Sequence, residues 1–168
     1  KHLLDTNRLL TITGLGGIGK TRLALQLAQS LFETFSDGIF FVPLAPLDSS
    51  ENILWTIAEH LHFQFQFNPS GHSEAPLLEY LRDKNLLLVL DNFEHVLSGA
   101  GLVKMMLEAA PGIKVVITSR LRLNLYGETG SHRYQAGPEA TDPSGAAERV
   151  DDVESYGTDL TIELPWKM

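Results

Sequence analysis

The stretch "GLGGIGKT", Gly14 to Thr21, constrains this chain more than any other eight residues in it. It fits the pattern G-x-x-x-x-G-K-[ST], with the apolar run "LLTIT" (Leu9–Thr13) before it and an amphipathic stretch opening at Lys20 after it. A loop that wraps a phosphate must turn sharply and present its backbone N–H groups inward, which Gly14, Gly16, Gly17 and Gly19 allow by lacking a Cβ. The start of a helix adds positive partial charge. Lys20 reaches β- and γ-phosphates as a point charge, and the Thr21 hydroxyl is a hard oxygen of the kind Mg²⁺ takes. Ile18 and Arg22 complete the expected phosphate-binding segment. With glycine at about 7% of residues, a chance match to all four fixed positions in a chain of this length is on the order of one per cent or less.

The rest of the chain supplies a fold for such a loop. "LLTIT", "GIFFVPL" (Gly38–Leu44), "NLLLVLD" (Asn85–Asp91) and "IKVVITS" (Ile113–Ser119) are apolar runs too short for typical helices, and they predict buried strands. Between them lie helical periods over Lys20–Phe35, Ser50–Leu61, Ala75–Lys84 and Glu94–Ala110; in the first, Leu23, Leu27, Ala28, Leu31 and Phe35 share a face. Strands alternating with helices predict the α/β class, a mostly parallel sheet of about five strands covered by helices on both faces. The expected core is residues 1–128. Residues 129–159, rich in Gly, Pro, Ser and acids without an apolar period, predict a flexible insertion, and 160–168 a last strand of the same domain, stopped by Pro165.

Charge and composition narrow the partners. The net charge of −8 is concentrated late: residues 1–128 carry 10 Lys and Arg against 13 Asp and Glu, whereas 129–168 carry 3 against 8. Without a basic face, direct nucleic-acid binding is not expected. No apolar run approaches the roughly 18 residues that cross a bilayer, so no membrane partner is expected. The absence of cysteine removes thiolate metal sites and cysteine nucleophiles, and a cytoplasmic location is expected.

Two further stretches bear on chemistry. Asp91 ends the apolar run "LLLVLD", where it is placed either to associate with Mg²⁺ beside the phosphates or to cap the turn after a strand. Asn92 follows, and an amide can orient a water but cannot accept its proton at neutral pH. Glu94 is then either the general base or an acidic first-turn residue favoured by a helix dipole, while His95 reads as a surface or packing residue. In "ITSR", Thr118, Ser119 and Arg120 fall at the C-terminal end of the fourth strand, where open α/β sheets bind their ligands. Arg120 reads as a γ-phosphate sensor or, failing that, as a surface arginine paired with an acid.

"LLTITGLGGIGKTRLALQLA", "LLLVLDNFEHVL" and "KVVITSRLRLNLYGE", in this order and spacing, resemble the NB-ARC-type nucleotide-binding domains of STAND signal-transduction ATPases, bacterial regulators in particular. The resemblance covers residues 3–128. It implies a P-loop NTPase αβα sandwich and an ATP/ADP switch in which Lys20 holds phosphates, Thr21 and Asp91 hold Mg²⁺, and Arg120 couples the γ-phosphate to oligomerisation. Lys20, Asp91, Glu94 and Arg120 would be its catalytic set and adenine nucleotide its ligand. Neighbouring domains of a larger parent protein and a nucleotide-dependent homo-oligomer are implied partners. Family members usually carry an upstream Gly-Arg segment and downstream closing domains; the chain is expected to be an excised core, binding weakly and hydrolysing slowly. Two readings compete with the switch: a small-molecule P-loop kinase, poorly supplied with lid arginines, and a scaffold that holds ADP without hydrolysing ATP. Guanine specificity is disfavoured because no N-K-x-D sequence occurs.

Overall fold

The computed structural model of the chain describes residues 3–65, 73–121, 123, 133–135 and 159–163. In chain order the elements are α1 (Leu3–Thr6), β1 (Leu9–Thr13), α2 (Lys20–Ser30), β2 (Ile39–Pro43), α3 (Ile53–His60), α4 (Ala75–Leu81), β3 (Leu87–Asp91), α5 (Ala100–Ala109), β4 (Lys114–Ser119), β5 (Arg133–Gln135) and β6 (Asp159–Glu163). The strands form one sheet in the order β2-β3-β4-β1-β6-β5, and each neighbouring pair is parallel.

The apolar runs give strands rather than helices because both faces of the sheet are covered. Along β3, Leu88 and Leu90 turn to one face, where they pack with Ile57 of α3, Leu77 and Leu81 of α4 and Val103 and Met106 of α5. Leu87 and Val89 turn to the other, against Ala24 and Ala28 of α2, Leu31, Phe35 and Leu4. A period of two within one uninterrupted apolar run is the signature of a strand buried on both sides. The α/β class and the three-layer arrangement are therefore as expected. The buried apolar positions of α2 are Ala24 and Ala28, with Leu23 and Leu27 half-buried at the margin, so small residues let the helix lie close to the sheet.

Three features differ from the sequence reading. The helix expected from Glu94 starts at Ala100, and two short 3₁₀ turns, Phe93–His95 and Leu97–Gly99, take up the residues before it. Asn92, at φ 61°, turns the chain sharply out of β3, and Gly99 and Gly101 weaken the helical preference that the apolar spacing implied. The sheet has six described strands rather than about five: Arg133–Gln135, inside the segment expected as a loop, pairs with β6. Three residues are too few for a hydrophobic period to register. The last strand begins at Asp159 and lies parallel to β1, while residues 129–132, 136–158 and 164–168 of the expected insertion and terminus fall outside the described residues.

One long-range tie could not be read from periodicity. The guanidinium of Arg8, just before β1, donates from Nη2 to Ala110 O at 2.7 Å and to Leu107 O, and so caps the carbonyl end of α5.

Candidate nucleotide site

Strand order builds the site. β4 lies between β3 and β1, with Ile12 opposite Thr118 and Thr13 opposite Ser119, so the C-terminal ends of three adjacent strands deliver the glycine loop, Asp91 and the Thr118–Arg120 segment to one edge of the sheet. This is the edge at which parallel α/β sheets hold ligands.

The loop leaves β1 through Gly14 and enters α2 at Lys20, with Gly17 at φ 80° and Gly19 at φ 93°. Both lie in the left-handed region, where a Cβ would strain the backbone. Nothing lies within 4 Å of the place a Cβ would occupy at either position, so it is backbone conformation rather than space that requires glycine there. Lys20 is buried, and its Nζ donates to Gly14 O and Leu15 O, each at 2.8 Å. The loop is thus folded over its own lysine, and phosphate oxygens entering it would compete with these two carbonyls for the ammonium protons. Burial lowers the Lys20 pKa below its ordinary value of 10.5; Glu94 acts against this, Arg120 adds to it and Asp91 acts against it. Ile18 is half-buried, Gly16 is exposed, and Arg22 is exposed on the first turn of α2.

Asp91 is buried, and its Oδ1 accepts from Thr21 Oγ1 at 2.7 Å and from Thr118 Oγ1 at 2.6 Å. Thr118 in turn accepts from the Asn92 backbone N–H at 3.0 Å, so one fully buried hydroxyl fixes both the carboxylate and the turn that follows it. Sequence reasoning put Thr118 at the right strand end without giving it this work; the signal was a hydroxyl on the strand adjacent to Asp91. The Thr21 and Asp91 oxygens, hard donors held together beside a phosphate-type loop, fit Mg²⁺.

Past Asn92 the chain alternates its allegiance. Phe93 is fully buried in the core beneath the sheet edge, which turns Glu94 back toward the site and leaves His95 exposed. Glu94 does not stand free beside Asp91: Oε1 lies 3.1 Å from Arg120 Nε, and Oε2 accepts from the Arg120 backbone N–H at 3.1 Å. Asn92 Nδ2 is 3.4 Å from the same Oε1. Arg120 crosses the loop, and a Cβ added to Gly16 would sit 3.7 Å from its Cζ and from Nη2. The Leu121 N–H donates to Ser119 Oγ at 3.1 Å, a local turn that stops β4 and starts the segment carrying Arg120. Lys20, Thr21, Asp91, Glu94 and Arg120 are therefore brought together, two cations facing two carboxylates. No helix among the described residues is long and apolar enough to cross a membrane.

The family model for the NB-ARC domain matches residues 1–134. A Mycobacterium tuberculosis (strain ATCC 25618 / H37Rv) protein named as an HTH-type transcriptional regulator, Rv0890c, is 39% identical over 129 residues, 76% of this chain and 14% of that protein. The regulatory protein AfsR of Streptomyces griseus is 29% identical over 118 residues, covering 67% of this chain and 12% of its own length. The chain thus spans about one seventh of the length of the regulators it matches. Among solved structures, Cdc6p from Pyrobaculum aerophilum is similar at a TM-score of 0.48 and 24% identity, covering 67% of this chain and 32% of that one. The Aeropyrum pernix ORC2 protein is similar at a TM-score of 0.47 and 18% identity, covering 70% and 36%. With four-fifths of its length matched by that family model, the chain belongs to the NB-ARC domain family of nucleotide-binding P-loop modules.

Proposed function

We infer that this chain is the ATP/ADP switch of a larger regulator, binding adenine nucleotide with Mg²⁺ and hydrolysing ATP slowly, so that nucleotide state controls oligomerisation or signalling. The observation that carries the reading is the pairing of Thr21 Oγ1 with Asp91 Oδ1 at 2.7 Å, directly beside the loop closed on Lys20. In it, Gly14, Gly16, Gly17, Ile18 and Gly19 offer backbone to the phosphates, Lys20 carries the countercharge and Arg22 borders the entrance. Thr21 and Asp91 hold the metal, which when bound neutralises charge on the phosphate oxygens. Arg120 reaches over the loop from β4, so a nucleotide with a third phosphate meets a cation that a diphosphate does not. Membership in a family of regulatory modules, and the small share of each regulator that the chain spans, support neighbouring domains as its output and a cytoplasmic setting.

Titration calorimetry with ADP and ATP in the presence of Mg²⁺, on this chain and on Lys20→Ala, tests the reading. Binding by the parent chain and a loss of at least about tenfold in the variant are expected, in line with removal of a charged partner from a phosphate. Equal binding by both proteins would sink it.

A further inference from the structure

We propose that Glu94 is a positioning residue for Arg120: it grips the arginine by its Nε edge and keeps the terminal guanidinium nitrogens over the phosphate loop. The inference rests on the reading above, in which Arg120 meets the γ-phosphate.

The two partners differ in how firmly they are held. The Glu94 side chain is 9% exposed and that of Arg120 60% exposed, so the carboxylate is the fixed member and the guanidinium the one that needs holding. Glu94 is fixed from behind by its chain neighbours, because Phe93 is fully buried and Asn92 is locked in a left-handed turn tied to Thr118. It then binds Arg120 twice, once at the backbone N–H and once at Nε. Two points of attachment on one residue fix the direction in which its side chain leaves the backbone, where a single ion pair would leave it free to swing.

The choice of nitrogen matters. A guanidinium presents five N–H donors, and the Nε contact uses the side nearest the stem. Among the described residues, Nη1 and Nη2 have no partner, and Nη2 lies at van der Waals distance from the place of a Cβ on Gly16. The fork that recognises phosphate is thereby left open above the loop. An end-on, two-nitrogen pair with the carboxylate would instead have consumed that fork.

The same contacts weigh against Glu94 as the general base. A carboxylate has about four lone-pair sites, and donors from Arg120 N, Arg120 Nε and Asn92 Nδ2 face three of them. A base needs a site open toward the attacking water. Glu94 is in these terms spent on orientation.

The test is a thermodynamic cycle on this chain with Glu94→Ala, Glu94→Gln, Arg120→Ala and the double alanine variant, reading the affinities for MgATP and MgADP and the turnover of ATP. Glu94→Ala is expected to shift the ATP-to-ADP affinity ratio about as far as Arg120→Ala does, on the order of tenfold, and the double variant no further, because the two residues act as one unit. MgADP affinity changes less than MgATP affinity in each variant, and circular dichroism melts report separately that each variant is folded. Glu94→Gln keeps one acceptor oxygen and sets an NH2 against the other donor, so it retains one of the two attachments and falls between the parent and Glu94→Ala in ratio and in turnover. An unchanged ratio in Glu94→Ala overturns the proposal, as does a double variant whose loss multiplies the two single losses. Abolished turnover in Glu94→Gln with the ratio intact overturns it too, and assigns Glu94 as the base. A parent chain with no difference between the two nucleotides removes the γ-phosphate contact itself and the proposal with it. Failure of nucleotide binding as such shows separately, in the comparison with Lys20→Ala.

Discussion

At the scale of single residues, the site depends on where each side chain of "DNFEH" is sent. Asp91 stays in the strand, Asn92 turns the chain in the left-handed region, Phe93 goes to the core and Glu94 returns to the loop. The same logic of one carboxylate gathering several donors operates at the opposite end of β3. There Asp37 Oδ2 accepts the Asn85 backbone N–H at 2.9 Å, and Oδ1 lies 3.2 Å from Lys84 Nζ. The Asn85 hydrogen bond first, and then Lys84, lower the Asp37 pKa below its ordinary 3.8. A carboxyl whose folded pKa lies below its unfolded one contributes stability that is full above the unfolded value and is lost as pH falls through the folded one. Asp37→Asn keeps the shape and removes the titration. Thermal melts of the two proteins should differ by a constant amount above about pH 5, and the gap should close as the pH falls below 3.8 and through the lower folded value; a gap unchanged at the acid end would show that Asp37 acts through its shape alone.

At the scale of elements, turns rather than helices carry the close tolerances. Gly112, between α5 and β4, presses its Cα against the turn before β3, and a Cβ there would run into the Lys84 carbonyl oxygen, a backbone atom that cannot step aside. Gly112→Ala is expected to destabilise the fold by about 1–3 kcal/mol through overpacking, roughly 3–10 °C in Tm at this chain length. A melting temperature within a degree of the parent would mean that the turn opens freely. Nothing in the sequence marks Gly112 apart from the turn signal, because the tolerance is set by Lys84, which is distant in sequence. The four expected strands, by contrast, were legible from their apolar runs; β1, β3 and β4 are buried, whereas β2, at the sheet edge, is half-buried apart from Val42. The start of α5 was not, because Leu97 and Ala100 keep a helical spacing even where Asn92 and the glycines break the backbone. For the site, Lys20, Thr21, Asp91 and Arg120 announce themselves by motif and strand end. The Glu94–Arg120 grip does not, because it joins two strand ends through a turn whose direction depends on one left-handed residue.

At the scale of the whole molecule, the sheet is assembled out of chain order. β1, which leads into the phosphate loop, is made from residues 9–13, yet its two hydrogen-bonded neighbours are β4 and β6, completed only at residues 119 and 163. Until β6 arrives, one flank of β1 offers a row of unpaired N–H and C=O groups next to an apolar surface. A chain ending before residue 159 is expected to bind itself through that flank and to scatter light at concentrations where the 168-residue chain stays clear; a monodisperse truncated protein would contradict this. As the chain leaves the ribosome, the glycine loop emerges well before its supporting strand is fully paired: β1 has neither neighbour until residue 119 and only one until residue 163, at ordinary synthesis rates of roughly 5–20 residues per second a delay on the order of ten seconds in all. Of the inner strands β1, β3 and β4, the one that leads into the phosphate loop is the last to gain both neighbours, so the loop has its full support only once residue 163 is made.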